Sequence, residues 1–136
     1  MEEVRENIIA AKVVDVAYRI HRDLGPGLLE TVYQKVLSHE LEQASLRVCQ
    51  EVPIGIQYGD LSIEDAFRAD LIVEDCLLVE LKSVETLQPV HRKQVTTYLK
   101  LTQLRLGLLI NFGSSLIKNG LERIANNLPE DRGTCS

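Results

Sequence analysis

Two apolar runs, residues 66–73 and 77–84, follow one another with the acidic turn Glu74-Asp75 between them. Runs of this length, rich in β-branched and aliphatic residues, fold as strands joined by a hairpin. Each run carries a carboxylate inside otherwise apolar sequence: Asp70 in Phe67-Arg68-Ala69-Asp70-Leu71-Ile72-Val73, and Glu80 in Leu77-Leu78-Val79-Glu80-Leu81-Lys82. Charged side chains are rarely buried without a partner or a metal, so both positions call for a chemical reason. Residues two apart share a strand face, which puts Glu80 and Lys82 on one side and Leu81 on the other. Loop length then decides the pairing. A two-residue loop sets Asp70 against Val79. A three-residue loop, Glu74-Asp75-Cys76, sets it against Glu80, with Cβ atoms about 4.5–5.5 Å apart. Two carboxylates so placed can hold one divalent cation, and oxygen donors suit Mg²⁺, with Mn²⁺ as its substitute, rather than zinc. Lys82 on the same face can orient a water or stabilise charge developing on a phosphate.

The rest of the chain supplies helices to cover this hairpin. Ile9, Val13, Val16, Ala17, Ile20 and Leu24 recur at helical spacing, opposite Arg5, Lys12, Asp15, Arg19 and Arg22, which predicts an amphipathic helix over 4–24. Gly25-Pro26-Gly27 ends it, and a second helix is expected over 28–44. From Arg47 the period becomes two: Val48, Gln50, Val52, Ile54, Ile56 and Tyr58 mark a half-buried strand, which Pro53 places at an edge or a bulge. Pro89 suits the first turn of a helix over 90–101. Leu106-Gly107-Leu108-Leu109-Ile110 reads as a strand covered on both faces, and a short final element is expected over 121–125. The fold class is α/β: a sandwich whose central mixed sheet, a three-strand antiparallel meander plus a crossover strand, is flanked by helices. It forms one domain over 1–125, followed by a polar, frayed tail over 126–136.

The 136 residues are 45% hydrophobic and 26% charged, an ordinary globular balance for a single domain. The net charge of −5 gives no broad basic field, so nucleic acid must be held by a local patch. The three cysteines, Cys49, Cys76 and Cys135, form no zinc or disulfide pattern and are expected to pack in a reducing compartment. The acidic first residues and the charges within the first helix match neither an export signal nor a membrane span. A soluble, cytoplasmic protein with no membrane partner is expected.

Further polar residues fall where the site would need them. Glu30 shares a helix face with Tyr33, Leu37 and Leu41 and is expected to point at the core; Gln94 and Tyr98, one turn apart, share a face with Val90 and Leu101. Arg68, two residues from Asp70, either touches a phosphate or pairs with Asp70 or Glu80. Lys93 and Lys100, beside the Gln94 row, either follow a nucleic-acid backbone or stay solvated. His21, His39 and His91 show no metal-like spacing and read as structural or surface residues. Taken singly, Asp70, Glu80 and Lys82 also suit a structural ion-pair cluster, and Glu30 a carboxylate favoured at a helix N-terminus. The joint order Glu, Asp, Glu-x-Lys, Gln-x₃-Tyr is what points to a site.

Asp70 followed by Glu80-Leu81-Lys82 resembles the PD-(D/E)XK nuclease superfamily, whose restriction-endonuclease-like core runs helix, three strands, helix, strand. The resemblance is closest to its small GxxExxY proteins, whose name pattern stands here as Gly27-Leu28-Leu29-Glu30-Thr31-Val32-Tyr33. It extends over residues 20–124 and includes Phe67-Arg68-Ala69-Asp70, Val79-Glu80-Leu81-Lys82, Gln94-Val95-Thr96-Thr97-Tyr98-Leu99 and Gly107-Leu108-Leu109-Ile110-Asn111-Phe112. Ala69 stands where the superfamily pattern has proline. The resemblance implies that Asp70 and Glu80 ligate Mg²⁺ and that Lys82 assists the attacking water. As in RecB-type sites, Glu30, Gln94 and Tyr98 would complete the metal and phosphate site. The activity implied is Mg²⁺-dependent hydrolysis of nucleic acid, with DNA the expected substrate; the low charge, the six aromatic residues and the small size point to a weak enzyme that acts as a homodimer or with a partner protein. The alternatives are a non-catalytic or weakly catalytic nucleic-acid-binding or regulatory module on the same fold, and an oligomerisation module whose charged cluster is structural.

Overall fold

The computed structural model describes residues 4–129. Helix α1, Arg5–Leu24, buries Ile9, Val13, Val16, Ala17 and Ile20, the apolar stripe of its sequence. The chain then turns through Gly25 (φ 70°) and Gly27 (φ 110°), two left-handed positions that glycine adopts without strain. Helix α2, Glu30–Gln43, begins only after Leu29, which is still extended. Strands β1, Val48–Tyr58, and β2, Leu61–Val73, form a long antiparallel hairpin. β2 starts well before the expected residue 66, because Ser62 and Ile63 pair with Gln57 and Ile56 although both are exposed. β1 is the edge strand and bulges between Ile54 and Ile56, as Pro53 foretold.

Strand β3, Leu77–Lys82, runs antiparallel to β2, and helix α3, Pro89–Thr102, crosses over to β4, Leu106–Asn111, parallel to β3. Pro89 opens α3, and Gln88 and His91 close a reciprocal capping box, giving His91 a structural role. A 3₁₀ turn, Ile117–Gly120, leads into β5, Leu121–Ala125, antiparallel to β4; the final element is thus a strand. The sheet order is β1-β2-β3-β4-β5. This is the expected α/β architecture, a mixed five-strand sheet flanked by helices and consistent with a restriction-endonuclease-like fold.

The larger apolar layer lies between the sheet and α1 and α2, where Val13, Ile20, Tyr33, Leu37 and Leu41 meet Leu71, Val79, Leu81, Leu108 and Ile110. The smaller lies under α3, where Val95 and Leu99 cover Ile54, Ala69, Leu78 and Leu109. Gly107 makes this seat possible, since a Cβ there would lie 2.8 Å from Val95 Cγ1. Val90 and Leu101, expected on the face shared by Gln94 and Tyr98, are on the outside of α3. Cys76 packs as expected but Cys49, on edge strand β1, is exposed; Cys135 lies outside the described residues. Asn126 and Leu128, assigned to the tail by sequence, are held: the Asn126 amide donates to Leu99 O and Leu104 O, and Leu128 packs on the core. Among the described residues no helix is long and apolar enough to cross a membrane.

Candidate active site

Glu74 and Asp75 both adopt left-handed backbone, and Cys76 N donates to Val73 O, so the β2–β3 hairpin closes with the three-residue loop. The ladder pairs Val73 with Leu77, Ile72 with Leu78 and Leu71 with Val79. One step further sets Asp70 against Glu80, and there the strands part. Side chains take over the ladder: Glu80 Oε2 accepts from Asp70 N at 2.7 Å, and Asp70 Oδ2 accepts from Leu81 N at 2.8 Å. Both carboxylates are thereby aimed along the gap between β2 and β3 and fixed by main-chain donors. Glu80 is only 7% exposed. Because Val79 and Leu81 pack under α1 and α2, Glu80 and Lys82 face the α3 side.

Electrostatics separate this pair from a structural one. Burial, with the Asp70 charge beside it, pushes the Glu80 carboxyl up to about 8; a side-chain hydrogen bond between the two carboxyls adds to the rise. Asp70 is raised as well, chiefly by burial, and the Leu81 amide and Lys82 lower it only in part. Glu6 is an internal control. Its exposure is similarly low, at 5%, yet Arg105 holds it bidentately at 2.8 and 2.9 Å. Burial acts to raise Glu6 too, but the Arg105 hydrogen bonds and charge bring it below the usual range. Among the described residues Lys82 forms no salt bridge with Asp70 or Glu80. The negative charge at the pair is therefore only partly compensated.

Glu30 reaches the site by another route than expected. It is exposed rather than turned to the core, because it is the first residue of α2 and lies beyond the packed turns. Its Oε2 accepts from Ser83 N at 3.4 Å, just past Lys82, while Ser83 Oγ donates to Leu28 O at 2.6 Å. The tyrosine of the same sequence pattern explains that position. Tyr33 is fully buried, stacks on Phe112 with centroids 4.4 Å apart, donates its hydroxyl hydrogen to Gly25 O and accepts from Leu28 N. It ties down the Gly25-Pro26-Gly27 turn that launches α2. Buried Asn111 does the same for the far side: its Oδ1 accepts from Val84 N and Gly113 N, and its Nδ2 donates to Val84 O at 2.8 Å. A cleft of about 520 Å³, lined by Gly27, Leu28, Leu29, Glu30, Thr31 and Ser83, opens between these anchors.

Tyr98 is half-buried and stacks on Phe67 at 4.1 Å between centroids. Its hydroxyl is raised by burial first and then by the charges of Glu80 and Asp70, which places it beside the pair. Gln94, one turn earlier, is exposed, as are Lys93 and Lys100. Arg68 pairs with neither carboxylate of the site: it binds Asp65 at 2.8 Å on the exposed side of β2. His21 is structural, its Nε2 2.8 Å from Ser114 O. Sequence reasoning missed Glu51 and Gln34. Glu51 lies across from Asp70 in the β1–β2 register, and its Oε2 accepts from Gln34 Nε2 at 2.9 Å. Val48, Val52 and Ile54 disclose a strand around Glu51, but no spacing rule marks its left-handed φ of 52°.

The arrangement fits a hard divalent cation, with two carboxylates of excess negative charge on adjacent strands. Among the described residues no group of three or more His, Cys, Asp or Glu side chains is arranged to hold a metal ion. The expected trio with Glu30 is thus not assembled, since Glu30 leans on Ser83. A mixed α/β sheet with a carboxylate pair and a lysine where its central strands part defines a class of nucleic-acid-cleaving folds. A family model of the PD-(D/E)XK nuclease superfamily matches residues 7–124, and the chain belongs to that superfamily. Comparison with curated proteins and with solved structures gave no match.

Proposed function

We propose that the chain is a Mg²⁺-dependent nuclease that hydrolyses DNA phosphodiester bonds, of the GxxExxY kind within its superfamily. The observation that carries this reading is the contrast between two glutamates of similarly low exposure, of which Glu80 lies deeper in the fold. Glu6 is neutralised by Arg105, as a structural ion pair requires, whereas Glu80 is packed against a second carboxylate with no cation bonded to either. An ion-pair cluster with Lys82 would have lowered both carboxyls. A divalent cation held by Asp70 and Glu80 would polarise a phosphate oxygen and lower the pKa of a bound water.

The chain's own groups prepare that chemistry. The amides of Leu81 and Asp70 hold the carboxylates in one orientation, so little rearrangement is needed on binding. Lys82, unpaired and on the same face, is available to a phosphate oxygen or to the attacking water. Glu30 and Tyr98 act on the pair from α2 and α3, and Gln94, Lys93 and Lys100 are exposed on the same helix as Tyr98, available to a nucleic-acid backbone. The second reading, a module that binds nucleic acid with weak or no hydrolysis, is favoured by Glu30, which leans on Ser83 and leaves two carboxylates where a trio was expected. Incubation of the purified chain with single- and double-stranded DNA and with RNA, in Mg²⁺ or Mn²⁺, tests both. Cleavage of DNA that Asp70→Asn, Glu80→Gln and Lys82→Ala each reduce at least a hundredfold is expected. Equal residual cleavage by all three variants, with DNA binding retained, would establish the binding module.

A further inference from the structure

Glu51 sits inside β1 with a φ of 52°, a left-handed conformation that costs a non-glycine residue energy and has no place in a regular strand. The packing on either side shows what it does. In β1, Val48 packs into the layer under α1 and α2, but Val52 and Ile54, an even number of residues on, pack under α3. In β2, Leu71 and Val73 pack under α1 and α2, but Phe67 and Ala69, again an even number away, pack under α3. A regular strand keeps such residues on one face. The two-strand ribbon therefore turns over between Val48 and Val52 and between Ala69 and Leu71. The register sets Gln50 against Leu71 and Val52 against Ala69, so Glu51 and Asp70 face each other at the turnover.

We propose that Glu51 is a positioning residue for the site. Its left-handed backbone, held to α2 through Gln34, rotates the ribbon so that the Asp70 carboxylate enters the gap beside Glu80 instead of either apolar layer. The anchor is well built: Gln34 is 8% exposed and donates from Nε2 to Glu51 Oε2 at 2.9 Å, one helical turn after Glu30. The same rotation ends the β2–β3 ladder at Leu71 and Val79, which frees the Asp70 and Leu81 amides for the two carboxylates. Asp70 acts on the substrate; Glu51 acts through Asp70. The placement stands on the fold, and its consequence for hydrolysis rests on the function proposed above.

The test uses the full chain and two readouts. In the metal-free protein the amide protons of Asp70 and Leu81, each donated to a carboxylate, should resonate well downfield in a ¹H–¹⁵N spectrum. Glu51→Gly, which accepts the left-handed backbone but gives up the Gln34 bond, should keep both signals downfield, shifted no further than in Gln34→Met, and keep the Mn²⁺ midpoint of a thermal-shift titration within about threefold. Glu51→Val, whose branched Cβ resists that backbone, should lose both signals and weaken the Mn²⁺ midpoint at least tenfold. Gln34→Met, close in shape, keeps the fold if Glu51→Val does not, and should shift both signals. Wild-type signals in Glu51→Val or in Gln34→Met, or their loss in Glu51→Gly, would overturn the proposal. Absence of any Mn²⁺ response in the wild type would overturn the metal reading alone, because the amide signals are read without metal.

Discussion

Glu80 shows at the scale of one residue how the site is maintained against the stability of the fold. Its carboxyl holds a proton in the folded chain up to a pH near 8, whereas in the unfolded chain it releases that proton near 4.5. Between those values the folded state binds more protons than the unfolded one, so stability falls as pH rises. Metal-free protein should therefore be less stable at pH 8 than at pH 5.5, by an amount on the order of a few kcal/mol, and melt lower. Glu80→Gln should flatten that part of the profile in a pH series of thermal melts. Mn²⁺ must displace the proton, so its binding should tighten as pH rises toward 8. Tyr33 carries a different burden. Tyr33→Phe leaves Gly25 O and Leu28 N without their partner while the stack on Phe112 remains, and should cost about 1–2 kcal/mol in chemical denaturation.

At the scale of elements, the site is a set of ends rather than faces. It lies where β2 and β3 part, at the first residue of α2, and beside the loop that Asn111 clamps to the end of β4. Two glycines set how closely those pieces approach. A Cβ on Gly113 would press into the Val84 main chain, which cannot yield as a side chain would. Gly113→Ala should destabilise the fold by about 2 kcal/mol and reduce hydrolysis, since the displaced loop carries Ser83, the partner of Glu30. A Cβ on Gly107 meets only the Val95 and Leu99 side chains. Gly107→Ala should therefore tilt α3 and Tyr98, with a smaller loss of stability than Gly113→Ala in the same denaturation series.

For the whole molecule, the crowded carboxylates make stability a test of the proposed metal binding. A cation that binds only the folded chain, at about ten to a hundred times its dissociation constant, adds about 1.4–2.7 kcal/mol. That should raise the melting temperature by about 3–10 °C for a domain near this length, with Mn²⁺ acting at lower concentration than Mg²⁺. Glu80→Gln should lose the response and should melt higher than the wild type without metal at pH 8, where one repelling charge has gone. Arg105→Ala, by contrast, should leave the metal response intact while lowering the melting temperature, because it strands the buried Glu6 charge. A flat melting temperature in millimolar Mg²⁺ and Mn²⁺ would count against the enzyme.

Periodicity and turn chemistry are local properties, and they determined the element order, the edge position of β1, the opening of α3 at Pro89 and the apolar faces of α1 and β4. The Asp70–Glu80 pairing was half legible: the sequence narrowed it to two loop lengths, and the left-handed backbone of Glu74 and Asp75 selected one. What the sequence left open depends on contacts between residues far apart in the chain. Glu30 was read as facing the core because its spacing matches Tyr33 and Leu37, yet a helix's first residue can have the right phase and nothing to pack on. Arg68 shares its parity with Asp70, but the ribbon turns over between them and Asp65 takes the guanidinium. That turnover comes from one left-handed residue in a neighbouring strand, held by a glutamine from a helix. No period in either strand records it, because a face is defined by what packs on it, and only the assembled layers decide that.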